Sequence, residues 1–112
     1  MELNFFKTMM DIRQEFQMLV GNTRKSVEQV DYVVSGPQND PGYVNNVIRS
    51  IDIAIQHNKA ILDFAQKLSN DSSLTTTLQI LPIFKQMEEE TLAAQKFIYQ
   101  YQGILSLLQN KG

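Results

Sequence analysis

From Leu74 to Leu108 apolar residues recur at steps that hold to one side of an α-helix. The series is Leu74, Leu78, Leu81, Phe84, Met87, Ala94, Ile98, Tyr101, Leu105 and Leu108, with Thr91 as its one polar member. Two earlier stretches share the period. Phe5, Met9, Ile12, Phe16 and Leu19 alternate steps of four and three, the register of a coiled-coil seam, which continues through Thr23, Ser26, Val30 and Val33. A second stripe runs from Val44 through Val47, Ile51, Ile55 and Ile61 to Leu68. A chain built this way has to bury its stripes against one another. The expected fold is all-α: an antiparallel up-down-up helical bundle of three long helices, at about 4–34, 41–69 and 72–109, in one domain spanning 1–112. A helix of about thirty residues is roughly 45 Å long, so the object is a rod, and narrow rods often complete their cores by pairing.

Ser35-Gly36-Pro37-Gln38-Asn39-Asp40-Pro41-Gly42 is the strongest punctuation. Gly36 is expected to end the first helix in the left-handed conformation, with Pro37 blocking continuation. Asp40 fits an N-cap with Pro41 at the first helical position. Gly21-Asn22 is a weak point inside the first helix, but the seam keeps its register across it, which favours one continuous helix over a break capped by Ser26 and Gln29. Asp71 or Ser72 can cap the third helix. Pro82 lies inside its hydrophobic pattern, where the spacing compresses to steps of three, so a kink near Leu78–Pro82, or a split giving four helices, is expected.

Four seam positions are polar: Thr23, Ser26, Asn58 and Thr91. They form either a buried polar layer near mid-rod that sets register, or hydroxyls and amides bonded back to their own helices. The first-helix doublets Phe5-Phe6 and Met9-Met10 read as a wide core stripe, with Phe6 and Met10 inside it.

The chemistry of enzymes is hard to assemble here. There is no cysteine and a single histidine, His57, whose nearest carboxylates, Asp52 and Asp63, are five and six positions away and off its helical face. No metal-binding His pair, di-iron Glu-x-x-His motif, phosphate-cradling glycine loop or hydrolytic triad can be drawn, so no catalytic, cofactor or metal residues are expected and the chain reads as a non-enzyme. His57 reads as a solvated surface residue. Asp11 and Glu15 share a face but have no second-helix partner. Of the run Glu88-Glu89-Glu90, Glu89 and Glu90 are expected to face water and Glu88 to lie near the seam, with contact to a basic partner as the minority reading.

Formal charge is −2, and the ten basic residues are dispersed apart from Arg24-Lys25, which argues against a nucleic-acid partner. No apolar run is long enough to span a bilayer, so no membrane role is expected. The N-terminal residues lack a secretory pattern, and a cytoplasmic location is expected. In length the chain resembles small secreted helical hairpins of the WXG100 type. It has no Trp, however, its turn reads Val34-Ser35-Gly36-Pro37, and Tyr99 and Tyr101 are followed four positions later by Gly103 and Leu105 rather than an acid. The likeness to those hairpins, and to secretion chaperones, is one of architecture.

The functional expectation rests on surplus apolar surface. Phe97, Ile98, Tyr101, Ile104, Leu105 and Leu108 form a broad C-terminal face, with Tyr99 and Leu107 outside it. That face predicts a protein-interaction module, a homo-oligomer or a binder of another helical protein. The competing reading is a small-ligand sensor with a pocket at Pro82 lined by Leu81, Phe84, Tyr32 and Tyr43.

Overall fold

The computed structural model describes residues 2–71 and 82–111, with side chains from Met9 to Asp71 and from Pro82 to Asn110. The described residues form three helices and no strand: α1 (Glu2–Val34), α2 (Tyr43–Ser69) and α3 (Pro82–Lys111). α1 runs unbroken through Gly21 and Asn22. The poor helix propensity there, about 1 kcal/mol for a glycine relative to alanine, is offset by the burial of Val20 and Thr23 on either side.

α2 runs antiparallel to α1. Phe16 stacks on Phe64 with ring centroids 6.2 Å apart. Midway, the Thr23 hydroxyl lies 3.2 Å from the His57 carbonyl oxygen. At the turn, the Tyr43 hydroxyl donates to the Val34 carbonyl at 2.7 Å. α3 runs parallel to α1, as the pairs Gln17–Gln86 and Arg24–Glu90, both at 3.1 Å, establish. The resulting rod measures 60 × 19 × 17 Å. α2 packs closely along both neighbours, whereas α1 and α3 approach each other far less closely.

The α1–α2 turn closes differently from the sequence expectation. Gly36 is not left-handed; no glycine among the described residues has a positive φ. The helix end tightens instead through Gly36 N–H to the Val33 carbonyl at 3.1 Å, and the Tyr43 hydroxyl satisfies the Val34 carbonyl. The absence of a Cβ still helps, because one built on Gly36 would sit 3.2 Å from the Val33 oxygen. Asp40 accepts the Gly42 N–H at 2.9 Å and so orders the entry to α2, but the α-helix proper starts at Tyr43, with Pro41 and Gly42 in the preceding turn. α2 ends at Asn70, whose N–H bonds the Gln66 carbonyl, and Lys67 in the last turn complements the helix dipole.

Pro82 is the first described residue of α3, and at a first-turn position a missing N–H leaves no bond unmade. Of the two expected caps, Asp71 follows the end of α2 with its N–H on the Leu68 carbonyl at 3.2 Å; Ser72, the steps through Leu74, Leu78 and Leu81, the kink before Pro82 and the fourth helix of a split fall on residues 72–81, outside the described residues.

The core has two parts. Ile12, Phe16, Val20, Ile61, Phe64, Met87 and Ala94 form one cluster. Val30, Val47, Ile51, Ala54 and Ile55 form the other. Between them on α1 and α2 lie the buried polar residues Thr23, Ser26 and Asn58. Among the described residues, α1 and α2 supply nearly all of the buried apolar side chains; from α3 only Met87 and Ala94 qualify. One expectation about α1 is corrected. Met9 packs against the first cluster, but Met10, a hundred degrees further round the helix, is 61% exposed. At Met10 the stripe is narrower than its doublet suggests; the Phe6 side chain lies outside the described residues.

Candidate functional site

The predicted C-terminal face sits at one end of α3, alongside the second cluster. Phe97, Ile98, Tyr101, Leu105 and Leu108 all pack against that cluster, yet none is fully buried. Phe97 and Tyr101, one turn apart, stack at 4.3 Å. Ile104 is 37% exposed, and Leu107 and Tyr99 lie further out at 65% and 88%. The face therefore does two things: its inner edge belongs to the fold, and its outer edge meets solvent. Sequence spacing could not separate the two, because it depends on how closely α1 approaches α3.

Where that approach is loose, a cleft of about 320 Å³ opens between α1 and α3. Thr23 and Asn58 contribute polar groups to it, Val27, Ala94 and Phe97 apolar ones. The Arg24–Glu90 ion pair bridges the same two helices, with Arg24 67% exposed. At that exposure the pair is worth about 0–1 kcal/mol. Glu90, rather than Glu88, is the member of the acidic run on the seam side. It lies three residues after Met87 and so shares its face, whereas Glu88 and Glu89 are exposed.

The polar seam residues mostly bond within their own helices. Asn58 donates to the Ala54 carbonyl at 2.7 Å, Ser26 to Thr23 at 2.8 Å and Thr91 to Met87 at 2.6 Å. Thr23 alone also reaches a neighbour. Its hydroxyl sits between the Leu19 carbonyl (2.8 Å) and the His57 carbonyl (3.2 Å), with one proton to share. Thr91 is half-buried and lines a different groove, so it does not join the layer at mid-rod. Ser50, which sequence reading did not single out, is buried too and bonds the Val47 carbonyl at 2.9 Å. Its position three before Ile53 and four before Ala54 hid it among apolar neighbours.

Because Asn58 makes only a local bond and borders the cleft, Asn58→Leu is expected to raise folding stability by about 0.5–2 kcal/mol by filling space with apolar volume. Urea denaturation checks this. A fall in the midpoint would show that the carboxamide is required where it stands.

His57 is not a fully solvated residue. It is half-buried, and its Nδ1 is shielded from solvent with no hydrogen-bond partner among the described residues. Asp11 and Glu15 are both exposed. Among the described residues no group of three or more His, Asp or Glu side chains could hold a metal ion. The residues suggested for a pocket at Pro82 are not brought together. Tyr43, and Tyr32 at 75% exposure, belong to the α1–α2 turn end, while Phe84 lies at the opposite end of the rod. Leu81 is outside the described residues. What does exist beside Pro82 is a groove of about 850 Å³ between α2 and α3, with Leu62, Leu68, Phe84 and Met87 in its lining. No helix among the described residues is long and apolar enough to cross a membrane.

Comparison with known proteins finds no matching family model, no matching curated protein and no matching solved structure.

Proposed function

We propose that this protein is a non-enzymatic, cytoplasmic protein-interaction module with an adaptor, chaperone-like or structural role. It self-associates, or binds a helix of another protein, through the C-terminal apolar face of α3. The observation that carries the reading is the incomplete burial of that face. Five apolar side chains between Phe97 and Leu108 pack against the second cluster, Ile104 lies beside them, and all six retain accessible surface. Single exposed apolar residues are ordinary on any protein. A continuous strip, flanked by Leu107 and Tyr99, is the pattern of a helix with room for another neighbour.

The test uses Ile104, the member of the face that packs least. Leu105→Glu or Leu108→Glu would also remove packing on the second cluster and confound assembly with folding. Ile104→Glu is expected to leave the thermal unfolding curve within about 0.5 kcal/mol of the parent, as surface changes do, while shifting the solution mass from oligomer to monomer by light scattering across a concentration series. A parent that stays monomeric throughout rules out self-association. The partner-helix form then rests on a pull-down in which the parent captures a protein that the Ile104→Glu chain does not. Identical behaviour of the two chains in both assays would remove the face from consideration.

A further inference from the structure

A second surface lies away from the C-terminal face. The groove beside Pro82 runs between the last two turns of α2 and the first half of α3. Its lining spans Phe84 to Gln95 on α3, about 17 Å or three helical turns. The floor is apolar: Leu62, Ala65 and Leu68 from α2 face Phe84 and Met87 from α3, and Leu92 stands 53% exposed at the edge. Two antiparallel helices with such a trough between them offer the ridges and grooves into which a further helix packs.

The charge of the lining selects the kind of helix. Glu88 and Glu89 are both part of it, both are exposed, and no Lys or Arg is among its described lining residues. Glu90 is engaged elsewhere, by Arg24. Lys67 and Lys85, the cations nearest along the two helices, are not part of the lining. An apolar floor with an acidic rim matches a helix that has an apolar stripe and basic flanks.

We propose that the α2–α3 groove beside Pro82 docks a basic amphipathic helix of about three turns from a partner protein. This site is separate from the Phe97–Leu108 face and stands whether or not that face assembles. Leucine side chains on one stripe of the partner would cover Leu62, Phe84 and Leu92, and lysines or arginines beside the stripe would meet Glu88 and Glu89.

The experiment is fluorescence anisotropy on the full chain, with a labelled peptide of about 14 residues, roughly 20 Å as a helix. The peptide carries leucines one turn apart and lysines on both flanks. The control peptide has every lysine replaced by glutamate. The lysine peptide is expected to bind at least about tenfold more tightly than the glutamate peptide, with affinity falling as salt is raised. The Glu88→Gln/Glu89→Gln chain is expected to lose several-fold in affinity for the lysine peptide. Leu92→Ser is expected to weaken both peptides, since it removes apolar contact from an exposed edge residue without opening the core. Ile104→Glu, on the other face, is expected to bind like the parent.

Equal binding of the two peptides, or an unchanged affinity in the glutamine chain, overturns the proposal. So does a failure of either peptide to bind, the result expected if a second copy of the chain fills the groove. Loss of binding in Ile104→Glu with retention in the glutamine chain would place the peptide on the C-terminal face instead.

Discussion

Phe16→Ala will remove about 3–5 kcal/mol of folding stability, the usual cost of truncating a fully buried phenylalanine. Phe16 has no exposed surface, and its ring stacks on Phe64 across the α1–α2 interface. Ile12, Val20, Ile61, Met87 and Ala94 complete the cluster, so all three helices contribute to it. Alanine would leave a void that these neighbours close only by moving whole helices, which are tied together by the other contacts of the rod. A domain of this size has about 5–15 kcal/mol in total, so the variant is expected to approach the limit of stable folding at room temperature. Chemical denaturation followed by far-UV circular dichroism provides the measurement. Met10→Ala, at a 61% exposed site on the same helix, is the matched control and should stay within about 0.5 kcal/mol of the parent. A loss under about 1 kcal/mol for Phe16→Ala would mean that the first cluster is not packed as described.

Ile51→Ala will cost about 2–5 kcal/mol and will report on the other half of the core. Ile51 is 1% exposed and lies among Val30, Val47, Ala54 and Ile55. It shares no cluster member with Phe16. Along α2 it is thirteen residues from Phe64, roughly 20 Å, beyond the range at which substitutions ordinarily couple. The two losses should therefore add to within about 0.5 kcal/mol when both are referred to the same parent, with a background stabilised by Asn58→Leu used if the double variant is too weak to fold. Amide exchange adds a spatial test: in Ile51→Ala, protection should fall more around Val47 and Leu105 than around Phe16 and Phe64 if the polar layer separates the halves. Strong non-additivity would show that the two clusters act as one.

What the sequence made legible was periodic and local. The seam through Ile12, Phe16, Val30, Ile51 and Ile61 could be read because each step of three or four repeats the same physical constraint. The core positions of Thr23, Ser26 and Asn58 were readable for the same reason, since register held through polar residues. Readings that depended on distant parts of the chain fared differently. Gly36 takes an ordinary backbone conformation because a hydroxyl nine positions beyond Val34 reaches back to that residue's carbonyl, which local turn rules do not include. Tyr32 and Tyr43 could not be placed relative to Phe84 without knowing which end of the rod each occupied. Glu90 could have been assigned correctly from its spacing to Met87; taking Glu88 as the seam residue gave weight to adjacency where the helix rewards a step of three. The residues from Phe97 to Leu108 were legible as apolar positions on one side of α3. Their division into a packed inner edge and an open outer edge follows from the spread between α1 and α3, for which no local pattern codes.

The up-down-up course of the three described helices has a mechanical meaning. A chain that goes up, down and up enters the rod at one end and leaves at the other, so Glu2 and Lys111 stand apart by about the long dimension of the molecule, 60 Å. Tension applied between those ends runs parallel to every helix axis and loads the two interfaces of α2 in shear, many contacts at once, instead of peeling them open one turn at a time. The middle helix is then the tie bar. Stretching along the rod would be resisted through the two sides of α2, with little help from the looser seam between α1 and α3.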